Sequence, residues 1–242
     1  MSVRAREAAA QAAEQAARRR QDRNVLLAVM LTLVVLVVAG GIGFQAYRTK
    51  RAPTTAPDVA AAVSEAPQTV TDGQPLRFGA EAAPATVTLY EDFHCPHCAD
   101  FETELGPTLT TAVAEGTTRL ELYPMSFIDA SSSAAANAVG CAGEAGFAFP
   151  FYLGLFANPA LEWNDAQLVD LASLVGAAPT DAFTDCVTSR ANAGWVTSVN
   201  ATADAKGVTQ TPTMFLDGAP VALEGLTPAK LQALIDAASG AK

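Results

Sequence analysis

Twenty consecutive residues, Val25 to Phe44, carry no charge and are almost all apolar. As a helix rising about 1.5 Å per residue, such a run spans roughly 30 Å, the thickness of a bilayer hydrocarbon core. It reads as a single transmembrane helix, assigned to residues 25–47. Six arginines precede it (Arg4, Arg6, Arg18, Arg19, Arg20, Arg23), and Arg48, Lys50 and Arg51 follow. That bias puts the N-terminus in the cytoplasm and the remaining chain on the far side of the cell membrane. A cleaved secretory signal is the competing reading, but the run exceeds a usual signal core and no convincing Ala-x-Ala site follows it. Both readings export everything downstream. Residues 1–24 are Ala-rich and studded with Arg but lack an apolar stripe, which suits a solvated basic tail.

From 48 to 73 the composition shifts to Ala, Pro and Thr, with Pro53, Pro57 and Pro67 spaced through it, the pattern of a flexible tether. Residues 74–242 suit one domain with a sizeable core. Charge divides at the same place: nine basic and three acidic side chains lie up to Arg51, and six basic and twenty-two acidic lie beyond it. An exported domain this acidic argues against nucleic acid or anionic lipid as its partner.

Within the domain, Leu76–Phe78, Val87–Glu91 and Thr118–Tyr123 read as strands, and 96–115 as a helix kinked near Pro107. These make a βαβ unit. From Ser131 to Lys206 the periodicity is helical. Beyond it, Thr213–Leu216 and Val221–Leu223 flank Asp217-Gly218, a strong hairpin signal. A last helix starts with Thr227 as N-cap and Pro228 at its first position, with Leu231, Leu234 and Ile235 as the buried face.

Cys95-Pro96-His97-Cys98 stands at the turn of the βαβ unit, where a strand hands over to a helix. A cysteine at a helix start meets free backbone N–H groups and the positive end of the helix dipole, so its thiolate is favoured and its pKa is expected to fall. Stabilising the reduced form makes the disulfide a strong oxidant, so thiol-disulfide exchange is the expected chemistry. His97 is a candidate to add a hydrogen bond or positive charge to Cys95, and His94 a weaker one that shapes the rim. If Cys95 pairs with Cys98, Cys141 and Cys186 remain as partners within the helical stretch. Their loop of about 45 residues would contribute roughly 4 kcal/mol on the chain-entropy account, the alternative being two free buried thiols.

With Asp92-Phe93-His94-Cys95-Pro96-His97-Cys98, Phe101-Glu102 and Gly207-Val208-Thr209-Gln210-Thr211-Pro212-Thr213, the chain from about Leu76 onward resembles the DsbA-like thiol-disulfide oxidoreductases of the membrane-anchored actinobacterial kind. The resemblance implies an α/β, thioredoxin-like fold with a helical insertion at about 130–206. It implies a cis peptide bond before Pro212, facing the Cys95–Cys98 pair, with Thr211 and Pro212 presenting backbone to a substrate strand. It further implies oxidation of unfolded exported proteins that carry reduced cysteines, and reoxidation by a membrane protein of the DsbB or vitamin K epoxide reductase type. No cofactor or metal is called for. Many relatives carry a buried acid six residues before the first cysteine, where this chain has Leu89, and Asp92 is the candidate substitute.

Other readings stay open. A reductase or isomerase is the nearest, and Thr211 does not separate them, although no N-terminal dimerisation module is visible. A metal site from His94, Cys95, His97 and Cys98 is disfavoured because ligands so close together rarely close a tetrahedron, and haem attachment needs histidine where Ala99 stands. A non-catalytic binding module of the same fold would have little use for Cys95 and Cys98.

Overall fold

The computed structural model of the chain describes residues 3–55, 63 and 66–240. It divides into two compact units, a long helix and a body that begins at Arg51. The helix, α1, runs from Val3 to Lys50, so the basic segment and the apolar run are one continuous helix. Among the described residues, Arg23–Phe44 is the one stretch of helix long and apolar enough to cross a membrane, with a mean hydropathy of 2.9. Its apolar side chains, Leu31 and Leu36 among them, are exposed.

The body is a thioredoxin-like α/β unit built on five strands: β1 (Leu76–Phe78), β2 (Ala85–Asp92), β3 (Thr118–Met125), β4 (Thr213–Leu216) and β5 (Ala219–Val221). Their spatial order is β1-β3-β2-β4-β5, with β2 and β3 parallel and the other neighbours antiparallel. Side chains two apart share a face, and cross-strand partners sit side by side on it. Leu76, Phe78, Leu120, Leu122, Val87 and Leu89 therefore line one buried face, where Phe78 meets the rings of Phe149 at 5.0 Å and Tyr152 at 6.3 Å. On the other face Tyr90 stacks on Tyr123 at 4.6 Å, with Phe215 edge-on at 6.0 Å.

The helix expected over 96–115 is two: α2 (Pro96–Glu104) and α3 (Gly106–Ala114), parted at Leu105. Pro107 lacks the N–H that a continuous helix would bond, and its ring would press on the carbonyl four residues back, so a new helix starts there instead. Between β3 and β4 lie α4 (Ala130–Ala145), α5 (Ala148–Phe156), α6 (Asp165–Leu174), α7 (Asp181–Ser189) and α8 (Ala193–Ala205). A disulfide joins Cys141 on α4 to Cys186 on α7. The chain closes with α9 (Pro228–Gly240).

Three expectations need correction. The stretch 48–73 begins inside α1, and from Arg51 on it is docked where it is described: Pro53 is buried, Asn158 Oδ1 accepts from the N–H groups of Thr54 (3.1 Å) and Thr55 (3.2 Å), and Gln167 Nε2 donates to the Arg51 carbonyl. Further on, the Gln68 N–H donates to the Gly143 carbonyl at 2.8 Å, and the Gly73 N–H donates to Ser198 Oγ at 2.7 Å. Buried amides such as Asn158 and Gln167 need partners, and this backbone supplies them. The second hairpin strand begins directly after Asp217-Gly218, both at positive φ (48° and 81°), so it covers Ala219–Val221 rather than 221–223. A two-residue turn of that hand matches the strand twist, and Pro220 is tolerated because β5 is an edge. Leu231 and Ile235 are buried as expected, but Leu234 is 39% exposed, since helix α9 presents a narrower stripe to the body.

The bridge closes a 45-residue loop. Replacing Cys141 and Cys186 together by Ser should lower the melting temperature by about 10 °C, given roughly 4 kcal/mol of loop entropy spread over a domain of this size. Thiol exchange at Cys95 should survive. An unchanged melting curve with exchange lost would reverse the roles of the two cysteine pairs.

Candidate active site

β2 ends at Asp92, a short turn follows, and Cys95 is the N-cap of α2. The Cys95 N–H donates to the Asp92 carbonyl at 3.0 Å, and the Cys95 carbonyl accepts from the N–H groups of Cys98 and Ala99, both at 3.1 Å. Pro96 takes the first helical position, where a missing N–H costs nothing. The Cys95 side chain makes no capping bond to the helix. Cys95 and Cys98 are unbridged, and they differ in access: Cys95 is 8% exposed, Cys98 is sealed at 0%. Burial drives the Cys98 pKa far up, and Glu91 adds to the rise whenever it is ionised.

The Thr211–Pro212 peptide bond is cis. The Cys95 thiol donates to the Thr211 carbonyl at 3.5 Å, so the loop before β4 lies directly against the more accessible sulfur. His97 is exposed on the first turn of α2. His94 is held instead: its Nδ1 lies 2.6 Å from Asp129 Oδ2, and its side chain is 11% exposed. Asp129 doubles as the N-cap of α4. Burial alone would raise its pKa, but the hydrogen bonds from Ser132 N–H and the His94 ring outweigh that and lower it.

Asp92 does not substitute for the acid missing at Leu89. Its Oδ1 accepts from His94 N–H (2.9 Å) and Ser132 Oγ (2.6 Å), and its Oδ2 from the N–H groups of Phe127 (2.8 Å) and Ile128 (3.2 Å). All four bonds fasten the turns around the dithiol and occupy the carboxylate's acceptor positions. Asp92 is fully enclosed, and so is Glu91, which stands two residues beyond Leu89 and therefore on the same face of β2. Tyr152 Oη on α5 lies 3.0 Å from Glu91 Oε2 and 2.6 Å from Glu102 Oε1 on α2. A tyrosine has one proton to donate, so two hydrogen bonds require one of the carboxyls to be protonated and to donate back. Burial raises both acids, Glu91 well above the carboxylate range and Glu102 to about 7. Glu91 Oε1 has no partner at all. Gly106 makes room for this cluster, because a Cβ there would meet Glu102 Oε2 at 2.6 Å. The sequence marked Glu102 only as part of a motif and passed over Glu91 and Tyr152. The one available signal was an acid inside an otherwise apolar strand run.

A thioredoxin family profile matches residues 71–237, well over half of the chain. The chain belongs to the thioredoxin family. Among solved structures it is similar to reduced DsbG of Mycobacterium tuberculosis, at 28% identity and TM-score 0.60 over 71% of this chain and 90% of that one. It is likewise similar to oxidised DsbA of M. tuberculosis, at 29% identity and TM-score 0.58 over 74% and 93%. MdbA of Actinomyces oris, a thiol-disulfide oxidoreductase, shares the fold at 23% identity and TM-score 0.59 over 69% and 90%. The serine/threonine-protein kinase PknE of M. tuberculosis matches at 29% identity over 132 residues, which is 48% of this chain and only 23% of the kinase. This thioredoxin-family chain thus spans less than a quarter of that relative's length.

Raised acids leave a mark on stability. Between the ordinary carboxylate pKa and about 7, the folded state keeps a proton on Glu102 that the unfolded state has released. Folding stability from this group is therefore full at acid pH and falls as pH rises through that window. The melting temperature of Glu102→Gln should depend less on pH between 5 and 8 than that of the unaltered chain, as calorimetry would record. Parallel curves would mean the carboxyl is not held protonated.

Proposed function

We propose that this thiol-disulfide oxidoreductase works in the oxidising direction, inserting disulfides into unfolded exported proteins from a domain anchored by α1, with its N-terminus in the cytoplasm. The observation that carries the reading is the unequal pair: Cys95 at a helix N-terminus beside the Thr211 carbonyl, and Cys98 sealed in the core within electrostatic reach of Glu91. A bridged Cys141–Cys186 in the same body supports an oxidising compartment. Likeness over most of both chains to M. tuberculosis DsbA, solved in an oxidised form, supports redox exchange at this site.

In the reaction, a substrate thiolate attacks Cys95 Sγ of the Cys95–Cys98 disulfide. The new bond joins substrate sulfur to Cys95, the old bond breaks, and Cys98 departs as a thiolate. Sealed in an apolar site, that thiolate needs a proton, and the protonated Glu91 is the donor on hand; Tyr152 and Glu102 resupply it. A second substrate thiolate then attacks the substrate sulfur of the mixed disulfide, forming the product disulfide and releasing Cys95 as a thiolate that the α2 N-terminus steadies. The two electrons rest on the enzyme dithiol until a membrane reoxidase of the DsbB or vitamin K epoxide reductase type removes them. On that return step Glu91 takes the Cys98 proton back. Thr211 and Pro212 offer backbone to the incoming strand, and His97 supports the Cys95 thiolate from the first turn of α2.

Cys98→Ala, whose lone Cys95 thiolate can open a disulfide that an exported protein already carries and release one of its thiols, should trap mixed disulfides, seen as thiol-sensitive adducts on non-reducing gels, whereas Cys95→Ala should trap none. Adducts on Cys95→Ala alone would invert the assignment. Glu91→Gln should slow disulfide transfer by about 10²-fold at neutral pH, the usual contribution of a positioned proton donor.

A further inference from the structure

Beside Cys95 an open groove of about 630 Å³ runs between α2 and the segment from Gln210 to Leu226. Phe101, Leu105, Met214 and Leu226 give it an apolar floor, and all four are buried. Its walls carry three exposed carboxylates: Asp100 and Glu104 on α2, and Glu224 across from them. No Lys or Arg lines it. His97, at the Cys95 end, is the one titratable base in its lining, and Lys230 is engaged elsewhere, donating its Nζ to the Gly225 carbonyl at 2.7 Å.

Local stability works against these acids. Asp100 and Glu104 are like charges four apart on one helix, a mildly destabilising pair. Glu104 is also the last residue of α2, where the helix dipole disfavours an anion and the last turn has no basic residue to offset it. None of the three has an ion-pair partner among the described residues. Residues that break local rules without compensation are expected where a binding partner supplies it.

We propose that this groove seats the stretch of an unfolded exported protein next to its reacting cysteine, and selects stretches that carry an apolar side chain and a lysine or arginine. The proposal rests on the oxidase reading above and names the substrate class for it. Continuity with the Thr211–Pro212 loop and with Cys95 puts the groove in line with an extended substrate strand. The spacing sets the register. Along α2, Asp100 lies about 7.5 Å and Glu104 about 13 Å beyond Cys95, while an extended peptide advances about 3.3 Å per residue. The basic side chain therefore belongs two to four positions from the substrate cysteine, on the one side that enters the groove.

The test uses the full chain, oxidised, in a nonionic detergent, with reduced synthetic cysteine peptides that bear Lys, Gln or Glu two or four positions from the cysteine on either side. Second-order rates of peptide oxidation should favour Lys over Glu by about tenfold at low salt on one side only. The preference should shrink below about threefold at 0.5 M salt, where charges are screened within a few ångströms. It should vanish in the triple variant Asp100→Asn, Glu104→Gln, Glu224→Gln. Equal rates for Lys and Glu peptides would overturn the selection while leaving the oxidase reading standing, as would a preference that survives the triple variant and so belongs to the overall acidic field. If no peptide were oxidised at all, the oxidase reading itself would fall, and the selection with it.

Discussion

Tyr152 touches three parts of the molecule at once. Its hydroxyl bridges Glu91 on β2 and Glu102 on α2, while its ring packs on Phe156 at 5.6 Å and on Phe93 and Phe78 at 6.3 Å. Through that one side chain the helical insertion, the sheet and the dithiol helix are fixed to one another. Two carboxyls enclosed this completely could not both ionise, so the bridge also dictates that a proton is held between Glu91 and Glu102. Packing and chemistry share the same contact: the geometry that closes the core is the geometry that keeps a donor ready for a buried thiolate.

Around that centre the two cysteines are given opposite surroundings. Cys95 takes the helix start, a neighbouring carbonyl and access to solvent; Cys98, three residues on, turns into the core, where its charged form is strongly disfavoured. On the proposed mechanism, a difference of this kind separates the roles of attacking point and leaving partner. Asp92, His94 and Asp129 hold the flanking turns in place, so the unequal surroundings do not relax.

Much of this was legible in the chain because local patterns carried it. The twenty-residue apolar run, the alternating strands, the Asp217-Gly218 turn and the Cys-Pro-His-Cys junction each announce a backbone shape within a few residues. What was not legible depended on distant partners. Glu91 sits where the second half of β2 is buried on both faces, so strict alternation no longer sorts core from surface, and Tyr152 is 61 residues away. Composition made 48–73 read as a tether because proline and alanine say nothing about Asn158 and Gln167, whose amides hold Arg51, Thr54 and Thr55. Asp92 was singled out on distance from Cys95 alone, and strand parity would have pointed to Glu91.

The central claim is one of direction, that the Cys95–Cys98 disulfide gives its bond away rather than receiving electrons for reduction. Its reduction potential tests this most directly. Equilibrating the full chain with glutathione buffers and counting free thiols at Cys95 and Cys98 should return a value more oxidising than about −180 mV, the range of disulfide donors. A value near about −270 mV, that of a dedicated reductant of this fold, would contradict the account.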